Sequence, residues 1–158
     1  MLGWRVDYAK LNGIMNTQEI LVANYLSYLQ AHRVADESFS DDEFAAWEDV
    51  EECVVDDPEL AWKVLLEVIK RCDPAQRYLI GAGVLETFFF HHVIGFSERI
   101  EEQLHTNAAF FAAFRFTYMG GVPERIWRYF NGILAALGVP ENELCEWNWV
   151  DTDRYPLD

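Results

Sequence analysis

An all-α fold, one domain of six to eight short helices in an irregular bundle or helical-repeat-like stack, is predicted by three features of the 158-residue sequence. Apolar residues recur at helical spacing in several segments, and the segments carry start and stop signals at their ends. No stretch alternates apolar and polar residues as a half-buried strand does. The third feature is the stretch Asp57-Pro58-Glu59-Leu60-Ala61-Trp62, which opens a helix so apolar around its girth that it must pack on several sides. Asp57 suits the cap, Pro58 the first helical position, and Glu59 the positive end of the dipole. Leu60, Ala61, Val64, Leu65, Val68 and Ile69 follow on one broad face, widened by Trp62 and Leu66, and the helix runs to about Cys72.

The remaining elements read in order. Residues 1–16, with Trp4, Tyr8, Leu11 and Ile14, form an N-terminal arm or short helix. Asn16 or Thr17 caps a helix to about Val34, with Ile20, Leu21, Ala23, Leu26 and Leu29 inward, Tyr25 and Tyr28 at the margins, and His32-Arg33 at the negative end of the dipole. After a polar connector at 35–40, Ser40-Asp41-Asp42-Glu43 has capping-box spacing and opens a helix to about Val55. At 100° per residue, Phe44, Trp47, Val50, Val54 and Val55 make its apolar stripe, while Asp42, Glu48, Asp49, Glu52 and Asp56 fall opposite; Glu51 lies inside the apolar sector.

Asp73-Pro74 repeats the Asp-Pro opening and predicts another helix, packed antiparallel after a tight turn and interrupted by Gly81-Ala82-Gly83. Close helix packing is the reading of those glycines; no Lys-Ser or Lys-Thr follows them to make a phosphate loop. Gly95 and Ser97 then separate Val84–Phe90 from a short amphipathic helix at 98–104. Asn107 caps a helix to Tyr118 carrying Phe110, Phe111, Phe114 and Phe116. Pro123 opens the last helix, with Ile126, Trp127, Phe130, Ile133, Leu134 and Leu137 inward and Gly138 and Pro140 at its end. Residues 141–158 are an acidic tail that docks through Trp147, Trp149 and Tyr155.

Composition narrows the function. With 51% hydrophobic and 15% aromatic residues the chain is not a disordered one. No apolar run reaches the ~18 residues of a membrane span, and the first residues lack the pattern of a secretory signal. The three cysteines, Cys53, Cys72 and Cys145, have no paired spacing and suit a reducing compartment, so a cytoplasmic location is expected. The net charge of −15 argues against direct contact with nucleic-acid backbone and points to a basic protein partner.

Several residues resemble an uncharacterised bacterial all-helical family, one of the domains of unknown function. They are Asp57-Pro58-Glu59-Leu60-Ala61-Trp62 and Gly81-Ala82-Gly83-Val84-Leu85-Glu86, with Ile100-Glu101 and the Asn107–Phe114 stretch. The likeness covers about half the chain, from Trp47 to roughly Trp127. The family pattern often has Pro where this chain has Val84, and the first helix and the tail lie outside it. The resemblance implies an all-helical domain and carries over no functional residues.

No catalytic constellation emerges, and no cofactor is expected. Glu86 with His91-His92 is the nearest to a metal or acid–base cluster, but the His-Glu-x-x-His spacing is absent and Glu86 and His91 do not share a helix face. Glu86 suits a hydrogen bond to neighbouring backbone better than catalysis. Phe88, Phe89 and Phe90 span 200° of a helix, so one of them is left for solvent or for a second molecule, and a homodimer would cover it.

Charge distribution is the sharpest signal. Between Val34 and Trp62 stand twelve acidic residues, from Asp36 and Glu37 to Glu59, and no Lys or Arg. Some are caps or first-turn residues, and an idle acidic surface is the competing explanation. A solvated face usually interleaves Lys, however. The leading expectation is therefore a non-enzymatic inhibitor that occludes a basic protein, an immunity protein facing a bacterial toxin or effector domain. Asp42, Glu48, Asp49, Glu52 and Asp56 would pair with the partner's cations, and Trp47 or Trp149 would anchor it. A nucleic-acid mimic or regulatory adaptor, which would compete with DNA for its target, is the alternative. A metal protein or enzyme using Glu86, His91 and His92 is the third.

Overall fold

The computed structural model describes residues 16–31, 40–147 and 149–156. Residues 1–15 of the expected 1–16 arm, the helix end at His32-Arg33-Val34 and the acids Asp36 and Glu37 lie outside the described residues. The fold is all-α. Seven α-helices are present among the described residues: α1 (Thr17–Ala31), α2 (Asp41–Asp56), α3 (Pro58–Arg71), α4 (Arg77–Gly81), α5 (Val84–Thr106), α6 (Ala108–Phe114) and α7 (Glu124–Ala136). Residue contacts gather into two compact units, 1–76 and 77–158.

In the first unit α1, α2 and α3 pack pairwise against one another. Asn16 caps α1, its Oδ1 accepting from Glu19 N at 3.0 Å. Ile20, Leu21, Val22, Tyr25 and Leu29 are buried. Tyr25, expected at the margin, is 1% exposed, its ring 5.3 Å from that of Tyr28. Burial, then the neighbouring Tyr28 and Glu51, pushes the Tyr25 hydroxyl well above the ordinary phenol range.

The expected capping box opens α2: Glu43 N donates to Ser40 Oγ at 3.3 Å and Ser40 N to Glu43 Oε2 at 2.8 Å. A single residue then joins α2 to α3. Pro58 cannot donate into α2 and holds Asp57 out of helical geometry, at φ −140° and ψ 82°. Asp57 N still closes α2 on Cys53 O at 2.9 Å, while Asp57 Oδ1 caps α3 by accepting from Leu60 N at 3.0 Å. Ala61, Trp62, Val64, Leu65, Val68 and Ile69 are all buried, the broad apolar face that the sequence predicts. The second Asp-Pro opening makes only a 3-10 turn, Pro74–Gln76. Asp73 Oδ1 accepts from Ala75 N at 3.0 Å, and the buried Gln76 side chain donates to Leu29 O, bonding the turn to α1.

In the second unit α4, α5 and α6 pack on one another. Helix α4 has five residues and ends at Gly81, where the sequence places its interruption, and that end is a contact point. A Cβ on Gly81 would stand 1.9 Å from Ala113 O, so only glycine lets α6 approach there. Thr117 Oγ1 donates to Gly81 O at 3.0 Å and fastens the same junction.

Gly95 and Ser97 do not break the chain, contrary to expectation: α5 runs unbroken for 23 residues. One interior glycine costs a helix about 1 kcal/mol. Buried Val93, Phe96, Ile100 and Leu104 continue the face begun by Val84, Leu85, Phe88 and Phe89, and that burial outweighs it.

Asn107 caps α6 as predicted, Oδ1 accepting from Phe110 N at 3.1 Å. The helix stops at Phe114 rather than Tyr118, which leaves Phe116 beyond it and 51% exposed, edge-on to Tyr78. The core of this unit is aromatic. Phe89, Phe114 and Phe130, one each from α5, α6 and α7, have ring centroids 5.2 to 5.9 Å apart.

Of the residues expected inward on α7, Phe130 and Leu134 are buried and the others half-buried. The helix ends on Gly138 at φ +96°, with Gly138 N on Ala135 O and Val139 N on Leu134 O, both at 3.0 Å. That bond pair is the Schellman closure, and it requires the left-handed conformation that glycine adopts most easily. Among the described residues, no single helix is long and apolar enough to cross a membrane.

Candidate functional site

Helix α2 carries the predicted acidic site in the first unit. Val50 and Val54 are its buried residues, which turns the opposite side outward. Glu48, Glu52 and Asp56 are exposed, and Asp42 and Asp49 half-exposed. These five fall within 120° of the helix circumference by their spacing, on one face. Among the described residues no cation forms an ion pair with Asp42, Glu48, Glu52 or Asp56. Asp49 already interacts with a neighbour, as does Glu51. The Glu51 charge reaches the hydroxyls of Tyr25 and Tyr28 and helps hold both in the neutral form.

The apolar stripe of α2 differs from expectation. Phe44 is 49% and Val55 52% exposed, and Trp47 is half-buried with its ring 5.4 Å from Phe44. The helix buries only Val50 and Val54, four residues apart on one narrow strip, so residues rotated 80–100° from Val54 stay in solvent. Phe44 and Val55 therefore border the acids instead of entering the core. The acidic field also reaches Cys53, whose thiol is pushed up to about 11 by burial first and then by Asp57 and Asp56.

Trp149, the other expected anchor, belongs to the second unit and lies in the tail. The tail docks through its aromatics as predicted. Gly121 N donates to Trp149 O at 3.3 Å and Asp151 N to Gly121 O at 2.9 Å, an isolated parallel bridge. Trp147 Nε1 donates to Val122 O at 3.3 Å, and the Tyr155 hydroxyl donates to Phe90 O. Cys145 O accepts from Trp127 Nε1 at 2.8 Å and Asn131 Nδ2 at 2.6 Å. Trp149 itself remains 49% exposed. The half-buried Phe90 meets the ring of Tyr155 at 6.2 Å, so the chain's own tail covers the phenylalanine left over from the triplet.

The Glu86, His91 and His92 cluster does not converge. Glu86 Oε2 accepts from Tyr118 N at 3.2 Å, the backbone role that its apolar setting suggests. His92 packs its ring on Phe88 and Phe96, with centroids 5.2 and 6.2 Å away. Burial, then Arg154 and His92, holds the His91 imidazole below its ordinary range. Among the described residues no three His, Cys, Asp or Glu side chains are grouped to hold a metal ion.

Sequence reasoning missed Arg154, whose guanidinium donates to His91 O from 63 residues away. It missed Asn131 and Gln76 too, buried polar residues whose partners are remote backbone carbonyls. At Asn131 the available signal is an amide among the apolar residues of a helix. No family model, curated protein or solved structure matches the chain.

Proposed function

We propose that the chain is a non-enzymatic binding protein that uses the outward face of α2 to hold and occlude a basic protein, and that a bacterial toxin or effector domain is the partner class. The observation that carries this reading is the gathering of Asp42, Glu48, Asp49, Glu52 and Asp56 on one side of a helix whose opposite side is buried. Exposed Phe44 and Val55 flank that face and supply apolar contact area beside the charge. Oriented potential of this kind speeds encounter with a cationic surface and sets register, while the apolar flank slows release.

The test is affinity for a basic toxin domain as a function of salt. Neutralising the five acids together as Asn or Gln should lower the association rate about tenfold or more and flatten the salt dependence. Phe44→Ala should act on dissociation instead. Co-expression should restore growth to cells making the toxin, and the neutralised chain should fail to do so. Binding unchanged by the five substitutions would remove the proposal.

A further inference from the structure

The chain has 27 acidic residues, yet one cleft in the second unit is lined by none of them among the described residues. It lies between the His91–Phe96 stretch of α5 and Arg154 and Tyr155 of the tail, and measures about 280 Å³. Its polar groups are two imidazoles, a guanidinium and a phenol; Ile94, Gly95 and Phe96 make the apolar wall. We propose that this cleft binds a phosphate-type oxyanion, inorganic phosphate or a phosphate monoester, with Arg154 as the fixed charge and His91 and His92 as further donors.

Arg154 is held in place. Its guanidinium donates to His91 O and its backbone N to Asp151 Oδ1 at 3.1 Å. The same Asp151 oxygen accepts from Asp153 N at 3.0 Å, which turns this carboxylate onto tail backbone. The Arg154 charge also acts on the Tyr155 hydroxyl beside it. The bond to His91 O uses part of a five-donor fork, and such a fork matches phosphate geometry. The Arg99 guanidinium stacks over the ring of Phe96, one of the lining residues, 4.5 Å from its centroid. Asp151 is the acid whose charge reaches a lining residue, Tyr155, while Glu98 and Glu101 line a separate groove that shares Ile94 with the cleft.

The charges that act on His91 are those of Arg154 and His92, both positive when protonated. Protonating His91 in the empty cleft therefore adds like charge to like. A dianion reverses the sign, because each imidazole then gains an ionic partner. Phosphate suits the cleft better than a carboxylate, since three terminal oxygens can take donors from three side chains. Any organic body of a monoester would lie against Ile94 and Phe96.

The experiment follows the histidine rings of the full chain by NMR through a pH titration, with and without millimolar inorganic phosphate at constant ionic strength. Phosphate should raise the His91 pKa by about one unit. Arg154→Gln should raise the His91 pKa without phosphate and weaken phosphate binding about tenfold or more. Arg154→Lys keeps the charge, so His91 should stay low and part of the affinity should remain; this variant decides the matter if the glutamine variant unfolds. Tighter binding of phenyl phosphate than of inorganic phosphate would assign the site to a monoester, and the reverse order to the free ion. A His91 titration unmoved by phosphate, an equal response to chloride, or undiminished binding in folded Arg154→Gln would overturn the proposal.

Discussion

Gly81 and Gly95 are the same residue in two opposite situations. At Gly81 the missing Cβ is space that Ala113 O occupies, whereas a Cβ at Gly95 meets nothing within 4 Å. Gly81→Ala should therefore force α4 and α6 apart and destabilise the fold by about 1–3 kcal/mol. Gly95→Ala should stabilise it by about 0.4–1 kcal/mol by stiffening the unfolded chain. Urea denaturation of both variants checks the pair, and equal effects would contradict the geometry. Cys53 reports on the acidic field. With its thiol pushed up to about 11, the thiolate fraction at neutral pH should be about a hundredfold below that of an ordinary thiol. Alkylation should be correspondingly slow and should speed up as pH rises toward that value. Asp56→Asn should lower the pKa and accelerate the reaction at pH 8, while burial keeps most of the shift.

The helices show what their ends are worth. Asp57 both terminates α2 and caps α3, and the proline after it makes that double use necessary. Asp57→Ala should cost about 1 kcal/mol through the lost cap, with Asp57→Asn costing much less, since asparagine caps about as well. Thermal melts distinguish the two, and equal losses would mean the charge matters rather than the cap. Local chemistry of this kind was legible in the sequence: Ser40 with Glu43, Asp57 with Pro58, Asn107, and Gly138 each do what their residue type dictates within four positions along the chain. Errors arose where a distant neighbour decided. The α5 glycine was overridden by a continuous buried face. Apolar character predicts Phe44 and Val55 inward, but the strip that α2 buries is narrower than its apolar sector. Glu86 takes the backbone role its setting suggests, but the N–H it accepts from is 32 residues away.

Charge is divided unevenly over the molecule. Residues 1–76 hold sixteen acidic and six basic residues, a net −10, against eleven and six, a net −5, in 77–158. Within α2, Glu48 with Glu52 and Glu52 with Asp56 are like-charge pairs four apart, each destabilising by about 0.2–0.5 kcal/mol. Raising salt from about 0.01 M to about 1 M shrinks the Debye length from roughly 30 Å to roughly 3 Å and relieves that repulsion. The melting temperature should rise by a few degrees, and Glu48→Gln with Glu52→Gln should raise it at low salt and reduce its dependence on salt. A melting temperature indifferent to salt would show that the carboxylates are too well solvated to repel.

Helical class, cap positions and the concentration of acid between residues 36 and 59 follow from the order of residues alone, because capping, periodicity and formal charge act over a few positions along the chain. Which face of each helix is buried, the bonding of the tail to α5, and the meeting of Arg154 with His91 come from chain segments tens of residues apart. Those contacts depend on the space that remains once the aromatic core has packed, and no local pattern in the chain encodes that space.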